Sequence, residues 1–274
     1  TQSHTLPSEN VKFADATYYR CPASIGGYYF CNGKFIKYCQ TDSDTAVALC
    51  IQPSCAHKDS ACSAYVGGSI QQLAEYQGKL YALVKADDQS LNLIAYEIED
   101  GERKTLLSWA PKEPENDRLT NEAVRLITLA NGFLYYQITQ TTYSLATMNV
   151  LDEEVSCIAY DLLSGKKETL PFSNFCCVGK AGFVVQILEQ EFDTRSEKYV
   201  VQESELRLYN PETWEYEVLV DHKKDNYVFS ADLSFYYGSL VSYLCENTLY
   251  TFDAETAQRK ELLTPKEPVV NYWL

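Results

Sequence analysis

Three observations make this chain an all-β protein, a β-propeller of five four-stranded blades. Gly27, Gly78, Gly132, Gly182 and Gly238 recur 51, 54, 50 and 56 residues apart, each beside apolar or aromatic runs of strand length. An aromatic stands near the end of every third run, at Tyr38, Tyr96, Tyr160, Tyr209 and Phe252, and a polar turn follows each. Twenty-two tyrosines against the single Met148 suit half-buried sheet better than helix packing. Two markers in one order five times indicate repeated supersecondary units. A lone four-stranded unit has two faces to cover, and radial stacking covers both while leaving only short edges. The alternatives are six blades, one assembled from the two termini, and a β-sandwich, which predicts less regular glycine spacing. Asn-Gly, Asp-Gly and Ser-Gly turns interrupt almost every candidate helical run.

Taken in order, residues 1–13 read as a polar, flexible leader and 14–274 as one propeller domain with a Cys/His-rich loop at 50–68. The first unit has strands at Ala16–Cys21, Tyr28–Phe30, Lys34–Cys39 and Ala46–Cys50, with Asn32-Gly33 expected as a type I′ turn because both residues tolerate positive φ. The second runs through Ile70–Tyr76, Leu80–Val84, Leu91–Ile98 and Lys104–Leu107. The third takes Arg125–Leu129, Phe133–Ile138, Cys157–Tyr160 and Glu168–Leu170. The fourth takes Phe175–Val178, Phe183–Leu188, Leu206–Tyr209 and Tyr216–Val220; the fifth, Leu233–Tyr236, Leu240–Tyr243, Thr248–Phe252 and Lys260–Leu263. The tail Pro268–Leu274 reads as a closing strand or the first strand of a further unit.

Some segments leave the pattern. Ser108–Asn121 is a proline-bearing link, and Thr139–Ser156 and Glu189–Glu205 enlarge hairpins of the third and fourth units. The last is acidic, but its spacing matches no compact calcium loop, so a solvated hairpin is expected.

The stretch LCIQPSCAHKDSACSAY places Cys50, Cys55, His57 and Cys62 within thirteen residues. Three thiols and an imidazole suit tetrahedral zinc, and four protein ligands make such a site structural, since no coordination position stays open. The spacing C-x4-C-x-H-x4-C lacks the close cysteine pair of common zinc modules. Disulfides use the same residues and are the leading reading: Cys50 with Cys62 clasping the loop, and Cys21, Cys31, Cys39 and Cys55 as further partners. Buried thiols are the third reading. Cys176-Cys177 should face opposite sides of a strand, and Cys157 and Cys245 read as core.

The formal charge of −15 argues against nucleic acid and anionic membrane surfaces as partners. No apolar run reaches membrane-spanning length. No nucleophile elbow, metalloprotease helix, phosphate loop or dinucleotide fingerprint occurs. Of the three histidines, His4 lies in the leader, His57 in the cysteine loop and His222 after an outer strand. No catalytic or cofactor-binding residue is assigned; paired carboxylates remain the one enzymatic alternative, as a carbohydrate-active hydrolase or lyase.

The run YYFCNGKFIKY followed by L-C-x2-P-x-C-x-H-x4-C-x-A-Y, at Leu49, Cys50, Pro53, Cys55, His57, Cys62, Ala64 and Tyr65, resembles a family of exported propeller-like proteins and lipoproteins of gut Firmicutes. Gly78–Tyr81 and Tyr160–Gly165 look like its blade repeats, and more distantly the chain is similar to the propeller of the Tol–Pal system. The resemblance implies an extracellular or cell-surface location, with membrane attachment only through a lipidated cysteine upstream of this sequence. Cys21, with no apolar signal before it, does not suit lipidation. The family supplies no catalytic residue or ligand. A binding or scaffold protein recognising a protein, peptide or glycan is the expectation.

Overall fold

The structure is a computed structural model that describes residues 10–12, 14–15, 23–24, 27–40, 43–173, 175–193, 198–221, 235–237, 240–245 and 248–264. Expectations for Ala16–Cys21, His4, His222, Gly238 and Pro268–Leu274 lie outside these residues. The fold is all-β and propeller-like: five antiparallel sheets follow one another in chain order. The first contains β3 (Ala23–Ser24), β4 (Gly27–Asn32), β5 (Phe35–Gln40) and β6 (Ala46–Ala48). The second contains β7 (Gly68–Tyr76), β8 (Lys79–Ala86), β9 (Leu91–Glu97) and β10 (Arg103–Trp109), with β2 (Ala14–Asp15) added beside β7. The third contains β11 (Arg118–Ala130), β12 (Phe133–Ser144), β13 (Val150–Asp161) and β14 (Lys167–Thr169), with β1 (Asn10–Lys12) beside β11. The fourth is β15 (Cys177–Gly179), β16 (Gly182–Asp193), β17 (Lys198–Tyr209) and β18 (Tyr216–Asp221). The fifth is β19 (Phe235–Tyr237), β20 (Leu240–Cys245), β21 (Thr248–Asp253) and β22 (Gln258–Leu263).

Two of the five sheets thus have five strands rather than four, because Asn10–Lys12, read as leader, pairs with β11, and Ala14–Asp15, ahead of the first expected strand, pairs with β7. The supposed link 108–121 is shorter: β10 runs to Trp109 and β11 begins at Arg118. The enlarged hairpins are strands prolonged past the rest of their sheets, β12 with β13 and β16 with β17.

Contacts divide the chain into a larger unit, Val11–Leu129 with Leu134–Glu168, and a second, Thr1–Asn10, Ala130–Phe133 and Thr169–Leu274. In the larger unit β8 shows why a blade needs neighbours. Leu80, Ala82 and Val84 pack with Tyr29, Ile36, Leu73 and Tyr96. Tyr81 and Leu83, on the opposite face, pack with Leu107, Leu126, Tyr136 and Tyr160. Period-two alternation therefore feeds two cores from one strand. In the second unit Val184, Leu206, Leu208 and Val220 share a core with Val241, Tyr243 and Phe252. Cys157 and Cys245 are buried, as expected of core residues. Cys176 and Cys177 are both buried in this one core, because β15 begins only at Cys177 and strand alternation does not yet apply to Cys176.

The turns explain the sequence markers. Tyr76 pairs with Lys79, leaving Gln77 and Gly78 at φ 51° and 76°, and Asn131-Gly132 sits between β11 and β12 at 53° and 79°. Both have the I′ pattern. At Asn32-Gly33 the outcome differs: Asn32 pairs with Phe35, so the loop is Gly33-Lys34, with Gly33 at φ 64° in the first central position, as in a II′ turn. Five residues beyond each aromatic Tyr96, Tyr160, Tyr209 and Phe252 stands a left-handed residue: Gly101, Gly165, Trp214 or Ala257. Main-chain amides of Gly101, Gly165 and Trp214 close their turns onto Glu97, Asp161 and Asn210 at 2.8–2.9 Å. Side chains finish the job: Asp161 accepts from the amides of Leu163 and Ser164, and Asn210 from those of Glu212 and Thr213.

A left-handed conformation costs an L-residue about 1–2 kcal/mol. Ala257→Gly is therefore expected to stabilise the protein by about 1 kcal/mol and Gly165→Ala to destabilise it by a similar amount. Denaturant unfolding of both variants checks the pair of opposite signs.

Candidate metal centre

The Cys/His loop leaves β6 and returns to the same strand edge that it left. The Leu49 amide donates to the Ile36 carbonyl and the Ile36 amide to the Ala64 carbonyl, both at 2.9 Å. Val66 donates to Lys34, and the Phe35 and Tyr65 rings meet edge to face at 5.3 Å. Ile36 is fully buried, so the base of the loop is closed by a main chain that has no access to water. Inside the loop, turns form where the Cys55 amide reaches Gln52 and the Cys62 amide reaches Asp59. The Asp59 side chain also accepts from the Ala61 amide at 3.0 Å. His57 takes φ 53°, a left-handed bend that swings its ring back toward Cys62.

Side chains from the second sheet hold this arrangement from outside. The Tyr96 hydroxyl donates to the Leu49 carbonyl, and Arg103 donates to the Tyr65 carbonyl. The Ser63 hydroxyl accepts from the Ile51 amide at 3.2 Å. Gly101, the left-handed residue of the nearest outer turn, lies against Ser63; a Cβ there would stand 2.9 Å from the serine Cβ. Ser63 and Tyr96 are residues that spacing alone does not single out. Tyr96 is legible as a blade marker, but its contact with Leu49 spans 47 residues.

The result gathers the four residues that the sequence nominates. The ligand atoms of Cys50, Cys55, His57 and Cys62 all lie within 4.8 Å of one another. His57 Nδ1 is 3.4 Å from Cys62 Sγ, and the His57 amide donates to Cys55 Sγ at 3.4 Å. Tetrahedral zinc with bonds of about 2.0–2.3 Å holds its ligand atoms roughly 3.5–4 Å apart, whereas a disulfide needs about 2.05 Å. Cys31 and Cys39, the further partners that the disulfide reading offered, point elsewhere: their thiols donate to the Gly33 and Ser43 carbonyls at 2.8 and 3.2 Å.

Electrostatics separates the two thiols nearest the loop base. Burial works against the Cys50 thiolate, but hydrogen bonds from the Ser63 hydroxyl, the main chain of Gln52 and Ser63 and the Cys62 thiol lower its pKa to about 6. Cys62 is pushed up to about 11 by burial and by its position beside Cys50 and Cys55, against an opposing bond from the Ala64 main chain. The pair can therefore share a proton, and a divalent cation would replace it.

No family model matches the chain, and no curated protein matches it. Solved structures do. Dipeptidyl peptidase 4 of Porphyromonas gingivalis is 12% identical and aligns over 92% of this chain and 47% of its own, at a TM-score of 0.39. A puromycin-hydrolysing peptidase of Mycobacterium tuberculosis is 11% identical over 94% of this chain and 46% of its own, at 0.34. The WD40 domain of SCAP from fission yeast is 7% identical over 93% and 59%, at 0.33. This chain spans about half the length of these structures.

Tyr96→Phe removes the hydroxyl that satisfies the Leu49 carbonyl and leaves the ring in place. A loss of about 1–3 kcal/mol in unfolding free energy is expected, measured by denaturant titration. An unchanged stability would show that Leu49 finds another donor.

Proposed function

We propose that this protein is an exported binding scaffold whose Cys/His loop is closed by structural zinc. One observation supports the scaffold reading above all. In the second sheet, Gly68 pairs with Ala86, Lys85 with Leu91, and Leu91 with Trp109. This register puts the 87–90 turn and the 110–117 link at one end of the sheet. The Cys/His loop meets the other end, where Ser63 lies against Gly101 of the 98–102 turn and Tyr96 and Arg103 bond to Leu49 and Tyr65. Irregular, chemically varied segments carried at the ends of a rigid repeat are the usual arrangement of a recognition surface.

The 87–90 end offers little for carboxylate-pair chemistry: the two recesses there are lined by one acid, Asp87, which is tied to Lys34 at 2.6 Å. Export to the cell surface is supported by the resemblance carried by Leu49 to Tyr65. Zinc is supported by the ligand count and by separations within 4.8 Å. Cys50, Cys55, Cys62 and His57 Nδ1 would hold the ion, and with no fifth protein-free position it would fix the loop rather than activate water.

Purified protein is expected to contain one zinc per chain by elemental analysis, and Cys55→Ser or His57→Ala to lose most of it. Chelation should lower the melting temperature without unfolding the five sheets. A metal-free protein whose intact mass falls short of the reduced chain by two hydrogens per bridge would replace zinc with disulfides. Separately, arrays of glycans and peptides are expected to retain the protein without being cut. Release of new reducing ends from any glycan would instead establish the hydrolase.

A further inference from the structure

Two recesses adjoin on the larger unit. One, of about 680 Å³, is lined by Lys34, Ser69, Gln71, Lys85, Asp87 and Gln89 among others. The second, of about 400 Å³, again includes Gln71 and Lys85 and reaches Arg125. Both volumes fall in the range of small-ligand sites, and the shared residues make them one continuous groove.

Three features show that the groove is built into the fold. The pairing of β7 with β8 slips between Ile70 and Gln72, so Gln71 is the extra residue of a β-bulge. Bulges re-aim a side chain, and this one lines both recesses. The neighbouring Gln72 side chain exchanges two hydrogen bonds with the main chain of Leu126, donating to its carbonyl at 3.1 Å and accepting from its amide at 2.7 Å. That carboxamide fixes the separation of β7 and β11 beneath the second recess. Lys34, on the turn after β4, reaches Asp87 on the turn after β8, which fixes the outer wall.

The charge of the lining departs from that of the chain. Lys34, Lys85 and Arg125 face a single acid, Asp87, for a local balance of +2 in a protein of net −15. Lys85 and Arg125 are exposed. An anionic ligand would be drawn to this groove against the net charge of the chain. The remaining polar groups, Gln71, Gln89 and Ser69, are amides and a hydroxyl, suited to hydroxyl groups. Two observations disfavour a peptide: the lining includes no aromatic ring to anchor a side chain, and the β7 edge is occupied by β2 at Leu73 and Gln72.

We infer that this groove binds an acidic oligosaccharide, its anionic groups held by Lys34, Lys85 and Arg125 and its hydroxyls by Gln71, Gln89 and Ser69. The inference rests on the scaffold reading and names its ligand class. The test is calorimetric or array binding of oligogalacturonate, neutral oligogalactose and poly-glutamate. Lys85→Ala and Arg125→Ala, singly and together, are compared with Lys260→Ala as a control on an exposed strand of the second unit. Oligogalacturonate should bind, weakening about three- to fivefold with each groove variant and tenfold or more with both or at high salt. Lys260→Ala should change nothing. Equal binding of the neutral oligosaccharide, or full retention by the double variant, overturns the inference. Tighter binding of poly-glutamate overturns the glycan class and leaves the scaffold reading standing. Failure of every probe overturns the inference, whereas the scaffold reading falls only if the glycan and peptide arrays also retain nothing.

Discussion

Both ends of the Cys/His loop are captured by one residue, Ile36, whose carbonyl takes the Leu49 amide and whose amide reaches the Ala64 carbonyl. Ile36 is fully buried, so neither bond can be replaced by water without opening the core between the first two sheets. Everything special about the loop follows from that closure. Because residues 49 and 64 are held side by side, Cys50 and Cys62 meet at the base. The turns at Gln52 and Asp59 then return Cys55 and His57 to them. The second sheet completes the clamp through Tyr96 and Arg103. A loop that would otherwise cost considerable closure entropy is thereby seated before any ligand chemistry begins.

Much of the fold was legible because steric demands write themselves into residue types. Gly78, Gly132 and Gly182 stand where the chain takes positive φ, and the recurrence of that requirement exposed the period. The aromatic markers were legible because each ends a half-buried strand just before a capped turn. What escaped was set by strand pairing that residue types do not spell out. The register of β4 and β5 moved the turn from Asn32-Gly33 to Gly33-Lys34, since cross-strand pairing and not the dipeptide fixes the loop. Residues 118–121 read as part of a link and 150–156 as part of an enlarged hairpin, because none of their side chains is buried and they show no apolar alternation, yet they form strands.

The candidate site shows the same division. Cys50, Cys55, His57 and Cys62 could be named from spacing, but whether they converge depends on Ile36 and Tyr96, which carry no metal-binding signature. The groove was invisible for a simpler reason. Lys34, Lys85 and Arg125 are isolated cations in an acidic sequence, and only the stacking of three sheets puts them along one lining. The 87–90 turn at one end of the second sheet and the Cys/His loop beside Gly101 at the other give a single physical picture: a rigid repeat supplies the geometry, and the segments free of the repeat supply the chemistry.

The central claim is that the loop is pinned around a tetrahedral ion. Diffraction from crystals of the full chain, collected on either side of the zinc absorption edge, tests it most directly. The account predicts one anomalous peak within bonding distance of the Cys50, Cys55 and Cys62 sulfurs and His57 Nδ1. Continuous density joining two of those sulfurs, with no peak at the edge, would contradict it.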